Sequence, residues 1–439
     1  MSAAAEFNQQ TVEQLSRRLR DPAWLSQLRA AAWTAQESLP WPDASDEIWR
    51  RTDRALLDPS QGFSIDGAEE LLQSVKVNDE QLRHLTQPLA DEHLIVRADG
   101  AWVSRQVPPG VTVDDIARSS GPQAAWIRQI IEADGLNPGE RKLSNLNTAF
   151  HHDAIFLDLP EGFTGQVPIR LIRALSAVPR SAVFPLTVIR VGRGSTVTLI
   201  EEDLGLPGGG PAGGPHLING RVELVIEPEA TAQYCRIQRW DATAHEFFLQ
   251  RATLAEAAQL TMVNINLGAL VSKTHVIAKL LGRHSTSRVF GFVFGRGQQH
   301  IDFHSLQDHQ APQTMSDLLY KAALKDSGRM IYTGLIRIAK SAKQTDAYQA
   351  NNNLLLSRQA KAETIPMLEI LADDVRCKHG ATVGPVDEEQ LFYLMTRGLP
   401  RELAERLLVM GFVEPIIAQV PFEPLQVRLR EELEGSLHA

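Results

Sequence analysis

The sequence predicts a mainly β chain with a helical segment at either end. Three observations lead there. From about residue 150 to 385, runs of β-branched residues broken by Gly, Pro and Ala turns follow one another with no helical periodicity between them. Before and after that stretch, apolar residues recur at helical spacing. The chain has 439 residues, 43% hydrophobic and 22% charged, which is ordinary for a globular protein and too long for one small core.

"TVEQLSRRL" and "PAWLSQLRAAAWTAQESL" place Trp24, Leu25, Leu28, Ala31 and Ala32 at helical spacing with polar residues between them. "DGAEELLQSV" and "NDEQLRHLTQPLADEHL" have the same texture, with Asn78 or Asp79 able to cap the second. Roughly the first 140 residues therefore read as a small helical domain. The texture changes after "HHDAIFLDLPEG". "FPLTVIRVGRGSTVTLIEED", "RVELVIEPEATAQYCRIQRWD" and the segments up to "PMLEILADDV" read as short, numerous strands. A doubly wound sheet needs helices between strands and is excluded. Sandwich, barrel and β-helix remain. Turn signals at "GRGS", "PEA", "GRHS", "GRGQ" and "KDSGR" recur irregularly, often about one coil edge apart, and "NNNLLL" suits like residues stacked between rungs, so a parallel β-helix is favoured. No hexapeptide repeat of the left-handed kind is visible. From about Asp387 the texture is helical again. Asp387 and Gln390 form a capping-box pattern, Gly398 ends that helix, Pro400 opens the next and Gly411 ends it. Leu391, Leu394, Met395, Leu403, Leu407, Met410 and Phe412 make an apolar face, and a charged final helix follows.

Composition narrows the function. A net charge of −9 argues against nucleic acid or an anionic membrane as partner. Two cysteines, Cys235 and Cys377, cannot build a disulfide framework and fit a reducing compartment. The first twenty residues lack an apolar signal core and no apolar run is long enough to span a bilayer, so the expected location is cytoplasmic. "LGLPGGGPAGGPH" reads as a surface loop. No Gly-Lys-Ser/Thr follows it, so the chain is not expected to hydrolyse ATP by itself.

Chemistry concentrates in "DDVRCKHGATVG". On a strand, residues two apart face the same side with Cα atoms about 6–7 Å apart. Cys377 and His379 can then share one metal ion, although two ligands leave a tetrahedral site incomplete. Packing roles for both, or a Cys-His catalytic pair, are the alternatives. Iron–sulfur clusters take about four thiolates. With two distant cysteines the chain needs ligands from a second chain or a small molecule, which points to an interface. A second constellation is "HIDFHSLQDH", where His300, Asp302 and His304 alternate and His309 follows. It is either a metal site or a polar turn network.

The segment "DAYQANNNLLLSRQAKAETIPMLEILADDVRCKHGATVGPVDEEQLFYLMTRGL", together with "HSLQDHQAPQTMSDLLYKAAL", closely resembles the SufB/SufD family of iron–sulfur cluster assembly proteins. "LPWPDASDEIWRRTD" and "LNTAFHHDAIFLDLPEG" resemble its N-terminal region, in the SufD branch. The Cys-Lys-His-Gly string, the modest length and the low cysteine count also resemble SufD. The resemblance implies a right-handed parallel β-helix core over residues 146–385, an N-terminal helical domain over 1–145 and a C-terminal helical domain over 386–439. It implies a non-catalytic subunit of a SufB–SufC–SufD complex, with SufB on the β-helix edge, the ABC-type ATPase SufC on the C-terminal helices, and a homodimer when isolated. The family's functional histidine falls on His379 and its accompanying cysteine on Cys377, at the interface where a transient iron or iron–sulfur cluster is handled. No flavin motif is visible. Two rivals remain. A β-helix polysaccharide enzyme would need paired carboxylates, and the adjacent Asp373 and Asp374 would face opposite sides of a strand. A purely architectural subunit would use Cys377 and His379 only for packing.

Overall fold

The computed structural model describes residues 7–65, 86–133, 135–176, 178–206 and 214–438. The helix expected over 66–75, the first part of the one expected over 78–94 (residues 78–85) and the centre of the Gly/Pro-rich loop lie outside the described residues. From residue 87 on the chain is not the expected helix but leads by bends into the strand that starts at His93.

The N-terminal segment opens with α1 (Gln9–Leu19) and α2 (Ala23–Ser38). It was expected to be helical to about residue 140. Instead it contains three strands: β1 (His93–Ala98), β2 (Ala101–Arg105) and β3 (Thr112–Asp115). Their alternation is short and interrupted by a tight Asp-Gly turn, so helical texture on both sides masks it. Helices α3 (Gly121–Ile131) and α4 (Pro138–Phe150) complete the segment. A reciprocal capping box between Asn137 and Glu140 starts α4.

A coil then begins with β4 (Asp153–Leu159), β5 (Ile169–Ser176), β6 (Ala182–Val183), β7 (Pro185–Val191), β8 (Thr196–Leu206) and β9 (His216–Ile226). It continues through β10 (Thr231–Arg239), β11 (Ala244–Leu254), β12 (Gln259–Asn266), β13 (Val271–Leu280), β14 (Thr286–Gly295) and β15 (His300–His309). Its last turns are β16 (Met315–Leu324), β17 (Arg329–Ile338), β18 (Thr345–Leu355), β19 (Lys361–Ile370) and β20 (Val375–Pro385). Successive strands alternate between two 10-stranded sheets, and the neighbours within each sheet are parallel along the coil. This is a β-helix of about 8 turns flanked by helices. One turn separates register partners such as Lys273 and Asp302, 29 residues apart.

The recurrent turn signals have a physical origin. At successive corners Gly194, Glu229 and Ala257 adopt left-handed backbone, and each donates its N–H to the next rung, at Pro228, Glu256 and Arg283 respectively. The rung-to-rung bond offsets the roughly 1 kcal/mol that a non-glycine residue loses there. The expected stacking of like asparagines does not occur. Asn351 has Tyr320 and Ala381 as its register partners, and its side chain donates to the Tyr320 carbonyl.

Both sheets are covered on their outer faces. Phe184, Leu217, Phe247, Leu249, Ile277 and Leu306 pack under Val12, Leu15, Trp33 and Phe150 of the N-terminal segment. On the other sheet, Ile237, Val263, Ile265, Phe292 and Phe294 meet the C-terminal helices. Strands buried on both faces read as continuous apolar runs, which is how they stood out in the sequence. The C-terminal helices are α5 (Glu388–Thr396), α6 (Arg401–Ile417) and α7 (Glu423–His438). Asp387 caps α5 and Gly398 ends it at φ 91°. Gly411, expected to end the next helix, lies within α6 instead. Ala404, Val409, Val413 and Ile416 on α6 are buried, and that packing outweighs the helix cost of one glycine, about 1 kcal/mol.

Candidate interface site at the end of the β-helix

The two ends of the coil differ. At the N-terminal end β1 joins β5 in parallel, and the short strands β2 and β3 close the two sheets antiparallel, against β1 and β4. At the other end, among the described residues, β19 and β20 are the outermost strands, and each is paired on one side only. Long edge strands invite pairing with another chain. Side-chain exposure changes with the edge. Ile338 is fully buried (0% exposed), whereas its register partner Ile370 is 41% exposed. Leu368, Leu371 and Val383 are exposed beside it.

Cys377 and His379 lie on this terminal strand. Parallel register pairs Cys377 with Ala347 and His379 with Gln349. Gln349 is buried and donates its side-chain N–H to the carbonyls of Gly334 and Met367, on β17 and β19 of the opposite sheet. Its ladder therefore faces the interior of the coil. Two residues away on the same strand, Cys377 and His379 share that side, as the spacing predicted. Because no further rung covers them, Cys377 is half-buried and His379 exposed. Cys377 rests beside Ile336, Ile338 and Ala347. Burial, with a smaller contribution from Asp346, pushes its thiol pKa up. Free thiol is thus favoured until a cation or a positive neighbour displaces the proton. Cys235 is fully buried, its pKa is pushed up by burial, and it lies far along the chain on β10.

The second constellation is dispersed. Asp302 accepts from Lys273 Nζ at 2.6 Å and from Thr52 Oγ1 at 2.5 Å, and His300 meets the same threonine. His309 points elsewhere, to Thr314 and Ser316, and burial lowers its pKa to about 4. His304 turns toward Glu140 and His275. Among the described residues Glu140, His275 and His304 form a convergent group of three potential ligands. The sequence reading missed Glu140 and His275. The parallel register that stacks His275 on His304 is the signal that finds them, and it is available only once the rungs are aligned.

The apolar face expected on the C-terminal helices is divided. Leu391 is buried, but Met395 and Leu407 are exposed, as are Phe392 and Tyr393. The exposed group lies on α5 and the first half of α6.

Fold and site together define a parallel β-solenoid whose two faces are covered and whose final rung is bare. The family model described as "SUF system FeS cluster assembly, SufBD core domain" matches residues 174–412. The chain belongs to the SufBD family. It is 28% identical over 302 residues to an iron-sulfur cluster assembly SufBD family protein of Staphylococcus saprophyticus, covering 68% of this chain and 64% of that one. It is 33% identical over 202 residues to one of Mycobacterium bovis, covering 46% of this chain and 24% of that one. The chain thus spans less than two thirds of the length of these relatives. Among the described residues no helix is long and apolar enough to cross a membrane.

Proposed function

We propose that this chain is a SufD-type, non-catalytic subunit of a cytoplasmic SUF assembly complex that contributes His379, with Cys377, to a shared site for nascent iron or iron–sulfur cargo. The observation that carries this reading is the terminal strand β20, where a thiol and an imidazole share one side at an unpaired sheet edge. Thiolate and neutral imidazole suit iron and zinc, and half a coordination sphere at an edge gains the remainder from the chain that pairs there. A cysteine-rich SufB-like subunit is the proposed partner at β19 and β20, and another copy of this chain takes its place in isolation. The exposed Phe392, Tyr393, Met395 and Leu407 support a docking surface for a SufC-like ATPase on the C-terminal helices. ATP hydrolysis in that partner would drive the rearrangement that opens the interface.

The test is His379→Ala in the reconstituted complex. Subunits should still copurify while cluster formation, followed by visible absorbance of the cluster, falls at least tenfold. Normal cluster formation in this variant would remove His379 from the mechanism. Loss of function only in Cys377→Ser would shift the assignment to the thiol. If the double variant delivers clusters normally, the subunit is purely architectural.

A further inference from the structure

A buried cluster far from the open edge has no role in this reading. Glu140 stands in the first turn of α4, and His275 and His304 are register partners on β13 and β15. All three are at most 3% exposed. Glu140 Oε2 accepts the Asn137 N–H at 3.0 Å, which fixes the carboxylate, and Oε1 faces the two rings. Oε1 lies 2.7 Å from His275 Nδ1 and 3.7 Å from His304 Nδ1, the latter too long for a hydrogen bond. The ring centroids are 4.9 Å apart. Among the described residues, neither nitrogen of His304, nor Nε2 of His275, has a hydrogen-bond partner. Buried polar atoms left unsatisfied cost about 1–3 kcal/mol each, and they call for an explanation.

We propose that Glu140, His275 and His304 form a buried site for a divalent first-row transition ion, with zinc the best match, that clamps α4 to the solenoid. Two imidazoles and one carboxylate are a familiar donor set for such ions. Donors around a tetrahedral zinc stand about 3.3 Å apart, so the observed 2.7 and 3.7 Å need shifts of about 0.6 and 0.4 Å, and the two imidazole donors must close to the same spacing. The three donor groups lie within 4.8 Å of one another. Lys273, two residues from His275, would oppose a cation, but its ammonium is already paired with Asp302 at 2.6 Å. The carboxylate of Glu140 then supplies the net negative charge. Because the ligands come from both the N-terminal segment and the coil, bound metal stabilises their contact and acts only on the folded state.

The experiment uses the full chain after chelator treatment, titrated with cobalt(II) and then zinc. One equivalent of cobalt should give a visible ligand-field band of a four- or five-coordinate ion. Zinc should erase the band and raise the melting temperature by several degrees. Glu140→Gln keeps an oxygen for the Asn137 cap and should weaken cobalt binding at least tenfold, and His304→Ala should abolish the band. The Cys377→Ser/His379→Ala double variant should retain it, which separates this site from the interfacial one. No band in the wild-type chain overturns the proposal. So does a band that survives Glu140→Gln, or one lost with Cys377 and His379. If His304→Ala does not fold, the wild-type and Glu140→Gln titrations still decide.

Discussion

Gln349 and His379 occupy the same ladder on adjacent strands, yet Gln349 is buried and hydrogen-bonded across the coil whereas His379 is exposed. The difference arises only because the solenoid stops after β20. What would be a covered interior position in an earlier turn becomes an exposed group at the end of the coil.

The bare edge gives the first prediction. Ile370→Glu combined with Val383→Lys places charges where a partner strand would pack. Burying one such side chain is worth about 1.5–3 kcal/mol, so association should weaken tenfold or more. Sedimentation velocity of the isolated chain and copurification with its partner read this directly. The melting temperature should change little, since both residues are already part-exposed, at 41% and 44%. An unchanged association constant would place the interface elsewhere.

A second prediction concerns the exposed aromatic pair on α5. Phe392→Ala with Tyr393→Ala should weaken binding of an ABC-type ATPase at least tenfold while leaving far-ultraviolet dichroism unaltered. Both rings are more than half exposed, so little folding energy depends on them. Unchanged binding in a pull-down or by calorimetry would exclude α5 from the docking face.

A third lies within the coil. The Arg236 guanidinium is fully buried, within 2.6 Å of both Asp203 and Glu246, and sits over the Phe248 ring. Arg236→Met takes the nearest cation from both carboxylates, leaving Asp203 only Arg173 at 3.7 Å, and should cost about 3–5 kcal/mol in urea unfolding. Adding Asp203→Asn and Glu246→Gln should recover part of that loss. A small effect of the single substitution would mean that water reaches these carboxylates.

The fourth is a pH effect. Asp99 sits in the turn after β1 at φ 46°, buried, and accepts from the Ser176 N–H and Oγ. Burial raises its pKa from the ordinary 3.8 to about 6, against the pull of the Ser176 bonds. The folded state holds this proton more tightly than the unfolded chain. The associated stability is therefore fully present below pH 3.8 and lost as pH rises through 6. Asp99→Asn keeps the shape and favours the left-handed backbone. It should stabilise the protein by about 1–2 kcal/mol at pH 7.5 and by almost nothing below pH 4. Melting curves at the two pH values measure the difference, and equal gains at both would assign it to the backbone alone.

Much of this was legible in the sequence. Strands covered on both faces betray themselves as β-branched runs, and corners as Gly, Pro and Ala signals, because both depend on local chemistry. The shared side of Cys377 and His379 follows from the two-residue period of a strand. The N-terminal strands were not legible. They are four to six residues long, and although β2 pairs with its neighbour β1, the strands that tie them to the coil, β5 for β1 and β4 for β3, lie far along the chain. Glu140 and His275 escaped for the same reason, since 135 residues separate them. Gly411 misled because tertiary packing on α6 outweighs a local breaker.

The unequal ends of the coil also set a limit on assembly. A solenoid with two bare ends could add copies indefinitely and grow into a fibre. Here β2 and β3, short strands that include Arg105, Asp114 and Asp115, offer a poor template at one terminus. Growth through the rungs can therefore proceed from one terminus only, and joining two bare ends uses up both. Were two such edges to join, the union would stop at a pair.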